Sequence, residues 1–91
     1  MIRVKIAGHL QDYTGGKKEL QVIQARDVLG MVNELNLSFP GIAQRILNDQ
    51  EQIRTYVNVF VNRDNAKDAD GERTPLKDGD VVHILPSVAG G

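Results

Sequence analysis

Ile2, Val4 and Ile6 alternate with Arg3 and Lys5. A period of two sends successive side chains to opposite faces, so this stretch is a half-buried strand. Leu20 and Val22 alternate with Glu19 and Gln21 and give a second strand. Between them, residues 8–17 hold Gly8, Asp12, Gly15 and Gly16, which is the chemistry of a loop. The two strands therefore read as a hairpin with a long connection. Downstream the period changes. Val28, Met31, Val32 and Leu35 fall at i, i+3, i+4 and i+7, one face of a helix. Asp27 stands where a carboxylate can accept the first free helical amides. Gly30 costs this helix about 1 kcal/mol against alanine. Pro40 ends it, because the residue before a proline avoids helical geometry. A short second helical piece should bury Ile42, Ile46 and Leu47.

The segment YVNVFVN, residues 56–62, is a strand with Val57, Val59 and Val61 on one face and Asn58, Phe60 and Asn62 on the other. Residues 63–73, RDNAKDADGER, are charged and poor in apolar side chains; they read as a solvated, mobile loop with at most a short edge strand. Asp78-Gly79 makes a turn, and Val81 to Leu85 forms the last strand, ended by Pro86, which has no amide proton for a ladder. The order β, β, α, β, (β), β predicts an α+β domain. One main helix packs on one face of a mixed sheet of four or five strands. The boundaries are a folded unit over 1–85 and a narrow tail over 86–91.

Composition excludes more than it selects. The 91 residues carry 11 basic and 12 acidic side chains, well mixed, with no basic stripe of the kind that nucleic-acid backbones need. No apolar run is long enough to span a membrane. The N-terminus lacks the apolar core of a signal peptide, so a cytoplasmic location is expected. There is no cysteine, which removes disulfides, thiolate metal sites and a thiol nucleophile. His9 and His83 are far apart in sequence, and no metal site is expected on them.

What remains is the end of the chain, Pro86-Ser87-Val88-Ala89-Gly90-Gly91. Side chains shrink toward the terminus, and six extended residues reach roughly 20 Å. A frayed terminus or a cloning remnant would also end in this way. A chemical reading is available too. A carboxylate is a poor electrophile until it is activated, usually as a mixed anhydride with a nucleotide phosphate. The activating enzyme must close around the reacting carbon and keep water out. Glycine puts no side chain in the way and adopts conformations closed to other residues.

The stretch LKDGDVVHILPSVAGG resembles the C-terminal signature of the ThiS/MoaD-type sulfur carriers, which have the ubiquitin-like β-grasp fold. Further upstream, FPGIAQRILNDQEQIRTYVNVFVN is similar to the helix-to-strand segment of MoaD-like members. Thr14-Gly15-Gly16 and the uninterrupted Val-Ala-Gly-Gly end look most like the stand-alone carrier branch of cysteine biosynthesis. The likeness spans nearly the whole chain and is densest from residue 39. One departure is the charged run after Val61-Asn62, where many relatives carry an apolar edge strand.

The resemblance implies that no residue here is catalytic. An E1-like adenylating enzyme, using ATP and magnesium of its own, would convert the Gly91 carboxylate to an acyl-adenylate. A sulfur donor would then leave a thiocarboxylate. Val88, Ala89, Gly90 and Gly91 would enter the partner's active site, and Leu85, Phe60 and Pro86 would dock it. The acceptor would be a cysteine synthase, the large subunit of a molybdopterin synthase, or a thiazole synthase of the thiamine pathway. The resemblance also implies a metalloprotease that trims carriers of this kind or their adducts. The other readings are a ubiquitin-like protein modifier, using the same adenylate, and an inert interaction module. No bound cofactor, nucleic acid or membrane is expected.

Overall fold

The computed structural model describes residues 1–86, and Ser87 to Gly91 lie outside them. Among the described residues five strands form one mixed sheet: β1 (Ile2–Ile6), β2 (Glu19–Val22), β3 (Val57–Val61), β4 (Asp64–Asn65) and β5 (Val81–Pro86). Their spatial order is β2-β1-β5-β3-β4, so β5, the last of the five in sequence, is the middle strand of the sheet. β5 runs parallel to β1 and antiparallel to β3. The alternating valines and isoleucines meet across these pairings. Ile2 faces Val22, Val4 lies beside Val82, and Val59 lies opposite Ile84. All six are buried.

The main helix, α1 (Val28–Ser38), turns Val28, Met31, Val32 and Leu35 into the same buried cluster as the inward residues of the sheet. Asp27 caps it as the pattern predicted, accepting from the Gly30 amide at 2.7 Å. A second short helix, α2 (Ile42–Ile46), buries Ile42 and Ile46. This is the mixed sheet with a helix on one face that the period changes predicted.

Two segments differ from expectation. The connection between β1 and β2 is not only loop: Gly8–Tyr13 is a 3-10 helix whose Leu10 is completely buried. A single apolar residue has no period, so the pattern could not reveal it. The charged segment 63–73 is also more built than its composition suggested. After the two residues of β4 come 3-10 turns at Ala66–Asp68 and Gly71–Arg73. Ala66 and Thr74 are buried beneath them, and the Lys67 ammonium donates to the Thr55 carbonyl at 2.9 Å. Small residues, invisible to a hydropathy pattern, tie this edge down.

Candidate functional site

The position of β5 decides where Pro86, the last described residue, stands. A central strand is hydrogen-bonded on both flanks, so its direction is set by the whole sheet. β5 continues through Pro86, one residue past the expected end, with Pro86 opposite Val57. The Ala7 amide donates to the Ile84 carbonyl at 3.2 Å on the other flank. The root of the tail is therefore fixed. Val88, Ala89, Gly90 and Gly91, predicted from the sequence to enter a partner, lie outside the described residues.

The start of β5 is locked as firmly. Asp80, only 5% exposed, accepts from the Lys77 amide at 2.9 Å and the Asn62 side-chain amide at 3.1 Å. The Asn62 side-chain oxygen accepts from the Val81 amide at 3.1 Å. Burial pushes the Asp80 carboxyl upward. The bonds from Lys77 and Asn62, with the Lys77 charge, outweigh that and hold it below the usual carboxylate range.

Residues opposite each other in an antiparallel ladder share a face. Phe60 lies opposite His83 and Asn58 opposite Leu85, so these four share the face away from the helices. Leu85 is 38% exposed and Phe60 is half-buried. The apolar pair predicted for docking thus stands on the open face of the sheet, with Leu85 one residue before Pro86. Lys5 flanks His83 from β1, and the Arg3 guanidinium pairs with the Glu19 carboxylate at 3.0 Å beyond it. That pairing raises the Arg3 pKa and lowers that of Glu19. Phe60 also borders a shallow depression of about 440 Å³ with Arg63, Asp64, Asn65, Asp68 and Ala69.

Sequence reasoning missed a cleft beside the root of the tail. His9, Asp12, Tyr13, Arg45 and Tyr56 line about 320 Å³ there. They come from the β1–β2 connection, α2 and the residue before β3, so no local motif announces them. Tyr56 precedes Val57, the ladder partner of Pro86, but that pairing is itself visible only in the fold. Among the described residues no cluster of three metal-ligating side chains occurs. No helix among them is long and apolar enough to cross a membrane.

The family model described as the ThiS family matches residues 4–91. The chain belongs to the ThiS family. It is 33% identical over 93 residues to the sulfur carrier protein CysO of Mycobacterium tuberculosis, covering 99% of this chain and 98% of that one. It is 38% identical over 61 residues to small archaeal modifier protein 3 of Haloferax volcanii, covering 67% and 65%. Among solved structures, the Amycolatopsis orientalis BexX/CysO complex contains a chain that superposes with a TM-score of 0.90. Its identity is 33%, with full coverage of both chains. This ThiS-family chain therefore has the ubiquitin-like β-grasp fold that its C-terminal signature implied.

Proposed function

We propose that this chain is a sulfur carrier, a protein co-substrate rather than a catalyst, whose working group is the Gly91 carboxylate. The observation that carries the reading is the Gly90-Gly91 end placed shortly after the central strand of a CysO-like fold. The chemistry balances without any reactive side chain from this protein. A carboxylate oxygen attacks the α-phosphorus of ATP on an E1-like enzyme and pyrophosphate leaves. Sulfide then adds to the acyl carbon and AMP leaves, giving a thiocarboxylate. The magnesium and the groups that stabilise developing charge belong to that enzyme. The sulfur passes to a downstream synthase, with cysteine biosynthesis the favoured pathway because the CysO likeness covers the full length. Two alternative acceptors share the chemistry: the large subunit of a molybdopterin synthase and a thiamine-pathway synthase.

The test is the intact mass of the protein after incubation with its activating enzyme, ATP and a sulfur source. A species heavier by the exchange of one oxygen for sulfur, mapped to the Gly91 peptide, is expected. Gly91→Val, or one added residue, should abolish it while leaving the fold intact. Unaltered adenylate formation by either variant would sink the reading. The likeness to an archaeal modifier favours a second use of the same adenylate, attachment to a lysine. Conjugates of higher mass that disappear when Gly91 is removed would establish it.

A further inference from the structure

The cleft of His9, Asp12, Tyr13, Arg45 and Tyr56 sits where the tail leaves the fold. His9 follows Gly8, and a Cβ added to Gly8 would stand 3.2 Å from the Pro86 ring. On the other side, Tyr56 adjoins the ladder partner of Pro86. An enzyme that draws the tail into a tunnel must cover this ground.

The chemistry of the cleft has a sign. The Arg45 guanidinium lies over the Tyr13 ring, 5.4 Å from its centroid. That ring is held against the start of α2, where a Cβ on Gly41 would lie 3.7 Å from it. The aromatic face steadies the cation and leaves its N–H fork for another partner. Among the described residues Arg45 makes no ion pair and no side-chain hydrogen bond. Among the described residues Asp12 is the one carboxylate lining the cleft, and it does not pair with Arg45.

We propose that this cleft receives an acidic side chain of the activating enzyme, a carboxylate seated on the Arg45 fork beside His9 and the two tyrosines. The proposal rests on the carrier reading above. A small-residue tail ending in Gly-Gly carries little identity, so recognition needs contacts on the body of the carrier. A planar guanidinium binds a carboxylate through two parallel hydrogen bonds, which fixes register as well as charge. Such a pair is weak while exposed to water. It gains strength and specificity when the partner closes over it and excludes solvent. Arg45 then acts on association of the two proteins and leaves the adenylation step unchanged.

The test measures pyrophosphate release by the activating enzyme from the same organism, with full-length carrier varied at saturating ATP. Arg45→Glu should raise the KM for carrier by about tenfold or more with kcat nearly unchanged, and Arg45→Lys should retain part of the affinity. Added salt should raise the KM of the wild type and leave that of Arg45→Ala nearly flat. A chain lacking Gly91 should still compete with the wild type, and should lose that ability on Arg45→Glu. Thermal unfolding should be the same for all, because the side chain is exposed. A wild-type KM for Arg45→Glu overturns the proposal. So does weakening by Asp12→Asn alone, which would mean that the cleft takes a cation. If the wild-type chain is not adenylated at all, the carrier reading falls and this proposal with it.

Discussion

Pro86 packs its ring against the bare backbone of Gly8. A Cβ built there would stand 3.2 Å from the proline Cγ and 3.7 Å from its Cδ, and Gly8 holds a φ of +64°. Two requirements meet at one residue, a left-handed backbone and room for the ring that closes β5. Gly8→Ala should therefore cost about 1–2 kcal/mol from the backbone alone. It should also shift Pro86 and so the direction of the tail. The expected outcome is a fall in activation rate larger than the loss of folded population explains. Denaturant titration and adenylation kinetics on the same variant check it. An unchanged rate with reduced stability would mean that the ring contact serves only folding.

Leu85 tests the open face of the sheet. It lies opposite Asn58, diagonal to Phe60, and packs against nothing that the core requires. Leu85→Asp should change stability by no more than about 0.5–1 kcal/mol. It should weaken engagement of the activating enzyme by roughly tenfold, as loss of an apolar interface anchor does. Phe60→Ala should act in the same direction. If both variants react at wild-type carrier concentrations, the enzyme docks elsewhere.

Much of this was legible in the sequence because the inward residues repeat. Val57, Val59 and Val61 announce a strand by themselves, and Asp27 with Val28, Met31, Val32 and Leu35 announces a capped helix. The pairing of β5 between β1 and β3 was not legible, since alternation tells which face a residue takes and not which strand lies beside it. Leu10 and Ala66 escaped because one buried residue has no period. The Arg45–Tyr13 cleft escaped for a related reason: three elements distant in sequence build it, and each contributes residues that look like ordinary surface. Gly90 and Gly91 lie outside the described residues, and their reading rests on chemistry and resemblance alone.

Asp80 should make the domain acid-sensitive. In the unfolded chain an aspartate titrates near about 3.9. The fold holds Asp80 below that value, because the bonds from Lys77 and Asn62 outweigh the opposing effect of burial. Between the two values the native state binds fewer protons than the unfolded one. The contribution is thus complete above about pH 4 and is lost as the pH falls through the lowered value. Asp80→Asn should cost about 1–3 kcal/mol at neutral pH, since a buried donor loses its charged acceptor. The gap to wild type should narrow in acid. Urea melts of both proteins from neutral to acidic pH measure this; a gap independent of pH would mean that shape, not charge, holds the turn.

Gly30 gives a sharper test of how the helix begins. Taken alone, glycine in a helix costs about 1 kcal/mol against alanine, so Gly30→Ala should stabilise. The cap opposes this. A Cβ at position 30 would lie 3.0 Å from the Asp27 carboxylate oxygen that accepts from the Gly30 amide. Alanine must displace the oxygen that satisfies the first turn, and losing that cap costs about 0.5–2 kcal/mol. The two effects nearly cancel, so Gly30→Ala should leave stability within about 0.5 kcal/mol of wild type or slightly below it. In an Asp27→Ala background there is no cap to disturb, and the same change should gain close to about 1 kcal/mol. The double-mutant cycle isolates that difference. Equal gains in both backgrounds would show that the cap gives way to the methyl group without loss.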